Sequence, residues 1–125
     1  MDPTPAAGDG IPAVDLAIAL RYVGGDRALL EDLVEVFCAE RDARLGALRK
    51  AIAVGDAATV RRTAHSLKSV LGILGAASGR TVAAELELIG CSDRLAEAAG
   101  VLARLEHELA EVVAFFAAHR GRTGA

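Results

Sequence analysis

The sequence has no tryptophan, one tyrosine and three phenylalanines, and its three prolines all lie within the first 12 residues. Strands favour aromatic and β-branched residues, and proline interrupts helices. Both scarcities therefore favour an all-helical domain beyond the N-terminal segment. With 125 residues, the chain has the length of one domain that is large enough to bury a core.

Charge and hydropathy argue against several classes of protein. The formal net charge is −3 and no more than two Lys or Arg residues stand in a row, so we expect no binding to nucleic acid. No apolar run approaches the ~20 residues of a membrane-spanning helix, and the N-terminus lacks the apolar segment of a signal peptide. We expect a cytoplasmic protein that does not bind membranes.

The cysteines and two of the histidines give no indication of a metal site. Cys38 and Cys91 have neither metal-type spacing nor a second pair, so we expect reduced thiols. His107 and His119 lie far apart along one predicted helix and have no clustered carboxylates. We expect both histidines to be surface or helix-end residues.

The apolar periodicity predicts five helical segments, four of them long and joined by short loops. N-caps are expected at three places where Asp or Ser precedes a periodic run: Asp26, Asp56, and either Ser92 or Asp93. Three glycines are expected to end helices: Gly55, Gly75 and Gly90. This pattern predicts an antiparallel up-down four-helix bundle with a short extra N-terminal helix.

The bundle is expected to occupy residues 14–120. Residues 1–13, which are rich in Pro, Gly, Ala and Asp, are expected to form a flexible leader, and residues 121–125 a flexible tail. The Met at position 1 and the short leader favour a free-standing protein, although a piece excised from a larger protein would look similar.

The stretch 63–76 reads TAHSLKSVLGILGA and places an imidazole in an apolar helix. At about 100° per residue, His65 lies at the centre of the polar face, opposite the stripe that contains Leu67 and Leu71. Two cations and two small residues share that face: Arg61, Lys68, Ser69 and Gly72. Small residues let a partner surface come close, and Lys and Arg form charge-assisted bonds to phosphate. This helical-wheel projection predicts that His65 is exposed and does not belong to the core.

Groups that would assist His65 are not visible in the sequence. No Asp or Glu lies within a turn of it on its own helix, and no Ser or Cys nucleophile precedes it in a recognisable catalytic setting. No Walker loop or glycine-rich nucleotide motif is present. A reacting His65 would therefore be the nucleophile itself, and we expect no autonomous kinase activity.

This stretch resembles the motif of the histidine-containing phosphotransfer (Hpt) family, A-H-x-L-K-G-x-x-x-x-L-G-A. The matching residues are Ala64, His65, Leu67, Lys68, Leu74, Gly75 and Ala76. The segments VGGDRALLEDLVEVF and AAELELIG are similar to the family's entry into its long second helix and to its helix after the motif. The sequence departs from the family at two positions, with Ser69 in place of the usual glycine and Ile73 in place of the common asparagine.

The resemblance implies a four-helix bundle whose histidine accepts a phosphoryl group from a receiver-domain aspartyl phosphate and passes it to another receiver. It implies that His65 is the phosphorylated nucleophile, that Lys68 stabilises phosphoryl oxygens, and that Ser69 occupies a position of close approach. The family's Mg²⁺ belongs to the receiver, so no cofactor is expected in this chain. The implied partners are response-regulator receiver domains and a hybrid histidine kinase, and the chain is expected to be a monomer.

Some candidate site residues are assigned only from their position on the helical wheel, and other questions stay open. Arg61 is a candidate second phosphate contact, and Gly72 is a candidate docking position. Ile73 either contacts a partner or packs under the neighbouring helix. Two rival functions remain: a degenerate bundle that binds receiver or kinase domains without being phosphorylated, suggested by Ser69, and a helical enzyme that uses His65 as a general base.

Overall fold

The computed structural model describes residues 12–92 and 94–123, with side chains described up to residue 119. It contains five α-helices: α1 Leu16–Tyr22, α2 Arg27–Val54, α3 Ala57–Ile73, α4 Ala77–Gly90 and α5 Ala98–Thr123. No strand occurs in these ranges. The long helices α2 to α5 form the predicted antiparallel bundle, and α1 packs against α2 and α3. The predicted fold is confirmed.

Aspartate side chains begin the first three helices. Asp26 accepts a hydrogen bond from the amide of Leu29, as predicted for an N-cap. Asp56 accepts from both the amide and the hydroxyl of Thr59, at 3.1 and 2.6 Å. These two bonds, the hydroxyl bond first, lower the pKa of Asp56. The caps fix where α2 and α3 start, and therefore the register of the helix that carries His65.

The turn after α3 also anchors the N-terminal segment. Gly75 has φ 73°, in the left-handed region that favours glycine. Its carbonyl accepts a 2.8 Å hydrogen bond from the amide of Asp15. A methyl group at Gly75 would lie 2.3 Å from the carbonyl oxygen of Asp15, so the glycine is required both by the turn and by this approach.

The start of the last helix differs from the prediction. A 3₁₀ turn at Leu95–Glu97 precedes α5. The hydroxyl of Ser92 donates to the carbonyl of Leu88, so it completes the end of α4 and does not cap α5. Asp93, the other predicted cap, lies outside the described residues. Helix α5 continues to Thr123, three residues into the segment predicted as a tail, and residues 1–11 of the predicted leader lie outside the described ranges.

The interior of the described bundle is apolar, with no buried polar or charged residue. The largest side chains with almost no exposure come from every long helix: Leu48, Leu67, Leu71, Leu74, Leu86, Ile89, Leu105 and Leu109. Both cysteines are free and exposed. None of the described helices is long and apolar enough to cross a membrane. Any reactive polar group of these ranges therefore lies on the outside of the bundle.

Helices α3 and α4 lie very close to each other at Gly90. A methyl group at Gly90 would lie 2.7 Å from the backbone nitrogen of Arg61 and 2.9 Å from its Cα. Such distances are too short for any side chain, and the obstacle is backbone, which cannot rotate away. Gly90 therefore sets the spacing between the two helices at this level.

Replacing Gly90 with alanine is expected to destabilise the bundle by about 1–3 kcal/mol, because the backbones of α3 and α4 must separate. Gly100 is a matched control, since it is also helical and a methyl group there would have no neighbour within 4 Å. Gly100→Ala is expected to stabilise by up to about 1 kcal/mol through helix propensity. Urea denaturation measures both changes, and equal stabilisation by the two variants would contradict the close approach.

Candidate functional site

The exposed histidine lies on α3 as the wheel predicts. The side chain of His65 is 59% exposed, whereas Ala64, Leu67 and Leu71 are fully buried. The same period of 3.6 residues that buries the leucines turns the imidazole outward. His65 is therefore accessible to a molecule approaching from outside the bundle.

A carboxylate from the neighbouring helix holds the imidazole. Glu87 on α4 places Oε2 2.8 Å from Nδ1 of His65 and Oε1 2.7 Å from Nζ of Lys68. The Glu87 side chain is 19% exposed and that of Lys68 is 25% exposed. One carboxylate therefore bridges an imidazole and an ammonium that lie one turn apart on α3.

His65, Lys68 and Glu87 form a triad of side chains. The charge of Glu87 determines which ring nitrogen of His65 carries the proton. The hydrogen bond from Lys68 is the largest cause that lowers the pKa of Glu87, and partial burial opposes it. An ionised carboxylate only accepts hydrogen bonds, so Nδ1 of His65 must carry the proton in this contact. When the ring is neutral, the lone pair is then on Nε2. The geometry therefore leaves the lone pair of Nε2 available to a group that approaches from outside the bundle.

Glu87 is the site residue that the sequence analysis missed. It lies 22 positions from His65 along the chain, so a search within one helical turn cannot find it. Glu87 precedes Gly90 by three residues on α4, close to the point where Gly90 allows the α3 backbone to approach. The sequence feature that could have indicated Glu87 is the position of an acidic residue directly after the apolar Leu86, in the helix that follows the motif.

The structure places the other predicted site residues around this centre. Arg61 and Ser69 are exposed, and Gly72 and Ile73 are half-buried. Ile73 does not belong to the apolar residues packed against the core of the described bundle. A methyl group at Gly72 would lie 3.3 Å from Cδ and Nε of Arg80. The side chain of Arg80 on α4, a residue that was not among the predicted site residues, therefore lies against α3 at Gly72.

The other side of α3 borders an open groove against α2. The side chains that line this groove are polar or small: Glu40, Ala43, Arg44, Ala47, Arg62, Thr63 and Ser66. Its charges are partly satisfied within the chain, because Arg44 pairs with Glu40 at 2.8 Å and Arg62 donates to the hydroxyl of Thr59. The described lining of this groove therefore contains no bulky apolar side chain.

No group of three or more His, Cys, Asp or Glu side chains in the described ranges could hold a metal ion. His107 is exposed, and His119 stacks on Phe115 near the end of α5 with ring centroids 5.9 Å apart. Neither histidine belongs to the triad. The chemistry available at the site is that of an oriented nucleophile beside a cation.

The comparisons with known proteins agree with this geometry. A family model described as the Hpt domain matches residues 32–115. Among solved structures, histidine-containing phosphotransfer protein B from Pseudomonas aeruginosa PAO1 is similar, with a TM-score of 0.82 and 27% sequence identity. The match covers 90% of this chain and 98% of that one. A search of curated proteins finds no match.

Proposed function

The chain belongs to the Hpt domain family, and we propose that it is a phosphorelay intermediate in two-component signalling. His65 accepts a phosphoryl group from the aspartyl phosphate of a receiver domain and passes it to another receiver. The observation that carries the proposal is the exposed imidazole whose Nδ1 is held by Glu87. The proposed partners are receiver domains and a hybrid histidine kinase, encountered in the cytoplasm by a monomer without kinase activity of its own.

The transfer step balances without any proton leaving the site. The Nε2 lone pair of His65 attacks phosphorus, and the bond from phosphorus to the aspartyl oxygen breaks, with its electron pair returning to the carboxylate. The imidazole keeps its Nδ1 proton and becomes cationic, and the negative charge of Glu87 lies 2.8 Å away. The reverse sequence delivers the phosphoryl group to the next receiver. Glu87 therefore favours the charge that develops on the ring in both directions.

The residues around His65 have supporting roles in this proposal. Lys68 binds phosphoryl oxygens, and to do so its ammonium must share or leave the oxygen of Glu87 that it contacts at 2.7 Å. Arg61 is a second phosphate contact, and the small side chain of Ser69 allows close approach while its hydroxyl can donate. No cofactor is proposed in this chain, since Mg²⁺ belongs to the partner receiver.

The proposal is tested by a transfer screen. Each receiver domain of the source organism, phosphorylated on its aspartate, is mixed with the protein, and acid-labile, alkali-stable label is sought on His65. Transfer of label to His65 supports the phosphorelay role. Tight binding of a receiver without label supports the rival function of a degenerate bundle that binds receiver or kinase domains.

Replacing Glu87 with glutamine is expected to slow transfer in both directions by about tenfold, because a partly exposed hydrogen bond to a charged group is lost. Nitrogen-15 NMR of His65 is the second measurement, since the proton is expected to redistribute between Nδ1 and Nε2. Glu85→Gln is the matched control, because Glu85 pairs with Arg104 on α5. Unchanged transfer and an unchanged proton position in Glu87→Gln would contradict the role of this carboxylate.

Glu87→Gln is also expected to change how the free energy of unfolding depends on pH in the acid range. Because the folded pKa of Glu87 lies below its ordinary value of 4.5, its ionisation contributes stability that is fully present above that pH. The contribution is lost as the pH falls through the folded pKa. Wild type and Glu87→Gln are therefore expected to differ most in unfolding free energy above pH 4.5 and to converge below it. A difference that is constant with pH would contradict this assignment.

A further inference from the structure

A cavity between α1, α2 and α5 is separate from the His65 site, since no residue of the triad lines it. It encloses about 410 Å3 of space, including its open mouth. Apolar side chains from all three helices line it: Leu16, Leu30, Val34 and Phe116. Small-molecule sites are typically apolar cavities of ~300–1,000 Å3 with a few polar groups. The apolar lining therefore raises the question of which polar groups accompany it.

The polar side chains that line this cavity include opposite charges. Arg27 and Glu31 belong to the first two turns of α2, and both are exposed. The imidazole of His119 also lines the cavity and stacks on Phe115, with ring centroids 5.9 Å apart. A guanidinium, a carboxylate and an imidazole therefore lie beside the apolar lining.

Arg27 and Glu31 do not neutralise each other. They are four residues apart, a spacing at which opposite charges on a helix can pair, but the order with the cation first is the less favourable one. Neither side chain forms an ion pair or a hydrogen bond with another residue in the described part of the chain. Both charges are therefore available to a molecule that enters the cavity.

The position of Arg27 on α2 also favours an anionic group beside it. Arg27 is the first residue of this helix, where the macrodipole disfavours a cation. The carboxylate of Asp26 binds the amide of Leu29 and does not pair with Arg27. A carboxylate of a bound molecule would form charge-assisted hydrogen bonds with the guanidinium.

We propose that this cavity binds a small apolar α-amino acid. The apolar side chain of the ligand packs against Leu30, Val34 and Phe116, its carboxylate binds Arg27, and its ammonium binds Glu31. An apolar acid would be repelled by Glu31 and an apolar amine by Arg27, whereas an α-amino acid carries both charges on one carbon. The inference goes beyond the proposed function and does not depend on it.

The test is a titration of the full chain with leucine, followed by the NMR shifts of the backbone amides. Saturable shifts are expected in α1, at the start of α2 and around Phe116, with a Kd on the order of 1 mM. Serine has the same two charged groups without an apolar side chain, and it is expected to bind about tenfold more weakly. The proposal is overturned if leucine, valine and phenylalanine all give no saturable shift, or if the shifts are confined to the His65 face.

Two fragments of leucine test the charges, since 4-methylpentanoate lacks the ammonium and 3-methylbutylamine lacks the carboxylate. Each is expected to bind about threefold more weakly than leucine, as for the loss of one exposed charge contact. Glu31→Gln is expected to remove the advantage of leucine over the acid, and Arg27→Gln its advantage over the amine. Either fragment binding wild type as tightly as leucine would overturn the assignment to an amino acid.

Asp32→Asn and Lys50→Gln are the matched controls for the two charge substitutions. Both residues are exposed on α2 and neither lines the cavity. All four substitutions change exposed side chains, so the bundle is expected to stay folded. The controls are expected to leave the Kd for leucine unchanged. An equal loss of affinity in the controls and in Glu31→Gln and Arg27→Gln would show that leucine responds only to net charge, and would overturn the site.

Discussion

His65→Gln is expected to abolish phosphoryl labelling while leaving the free energy of unfolding within about 0.5 kcal/mol of wild type. The side chain is 59% exposed, and its hydrogen bond to Glu87 can be replaced by one from the glutamine amide. Glutamine has no lone pair that can take up a phosphoryl group in this way. Incubation with a phosphorylated receiver measures labelling, and urea denaturation measures stability.

His107→Gln is the control for this substitution, because His107 is also exposed but lies on α5. It is expected to keep full labelling. Label that persists in His65→Gln would show that another residue accepts the phosphoryl group. A loss of several kcal/mol in the same variant would show that His65 is structural.

Leu67→Ala is expected to have the opposite effects on stability and labelling. It should lower the free energy of unfolding by about 2–5 kcal/mol. Leu67 lies two residues from His65 but is fully buried in the core, where truncation leaves a cavity. The fraction of protein that remains folded is expected to be labelled. Denaturation midpoints and the label per folded molecule are the measurements.

Leu88→Ala is the matched control for the leucine truncation, since Leu88 is 63% exposed. It is expected to change stability by less than about 0.5 kcal/mol. A small effect of Leu67→Ala, comparable with that of Leu88→Ala, would contradict the observed rotation of α3 in the bundle.

Features that depend on local geometry could be predicted from the sequence. The N-caps at Asp26 and Asp56 and the left-handed ends at Gly55 and Gly75 each involve residues only a few positions apart. The outward orientation of His65 follows from the period of a single helix. The four-helix bundle could be predicted for a similar reason, because the spacing of apolar residues within each helix and the short loops between helices are also local features of the sequence.

Features that depend on two helices at once could not be predicted in this way. The contact between His65 and Glu87 requires a particular rotation of α4 and the short distance to α3 that Gly90 allows. The position of Arg80 across Gly72 has the same origin. Spacing along one helix contains no information about either distance. The roles predicted for the site residues in transfer and docking stay predictions: His65, Lys68, Arg61, Ser69, Gly72 and Ile73.

The close contact of Gly90 with the backbone of Arg61 also makes the orientation of His65 by Glu87 depend on the docking of α4 against α3. The α3 helix can form from local contacts, whereas its carboxylate partner arrives only when α4 docks against it. A chain with α3 formed and α4 undocked has the same histidine but no group to keep the proton on Nδ1. In the proposed function, an incompletely folded chain would therefore present a receiver with an unoriented imidazole, so transfer would require the completed α3–α4 pair.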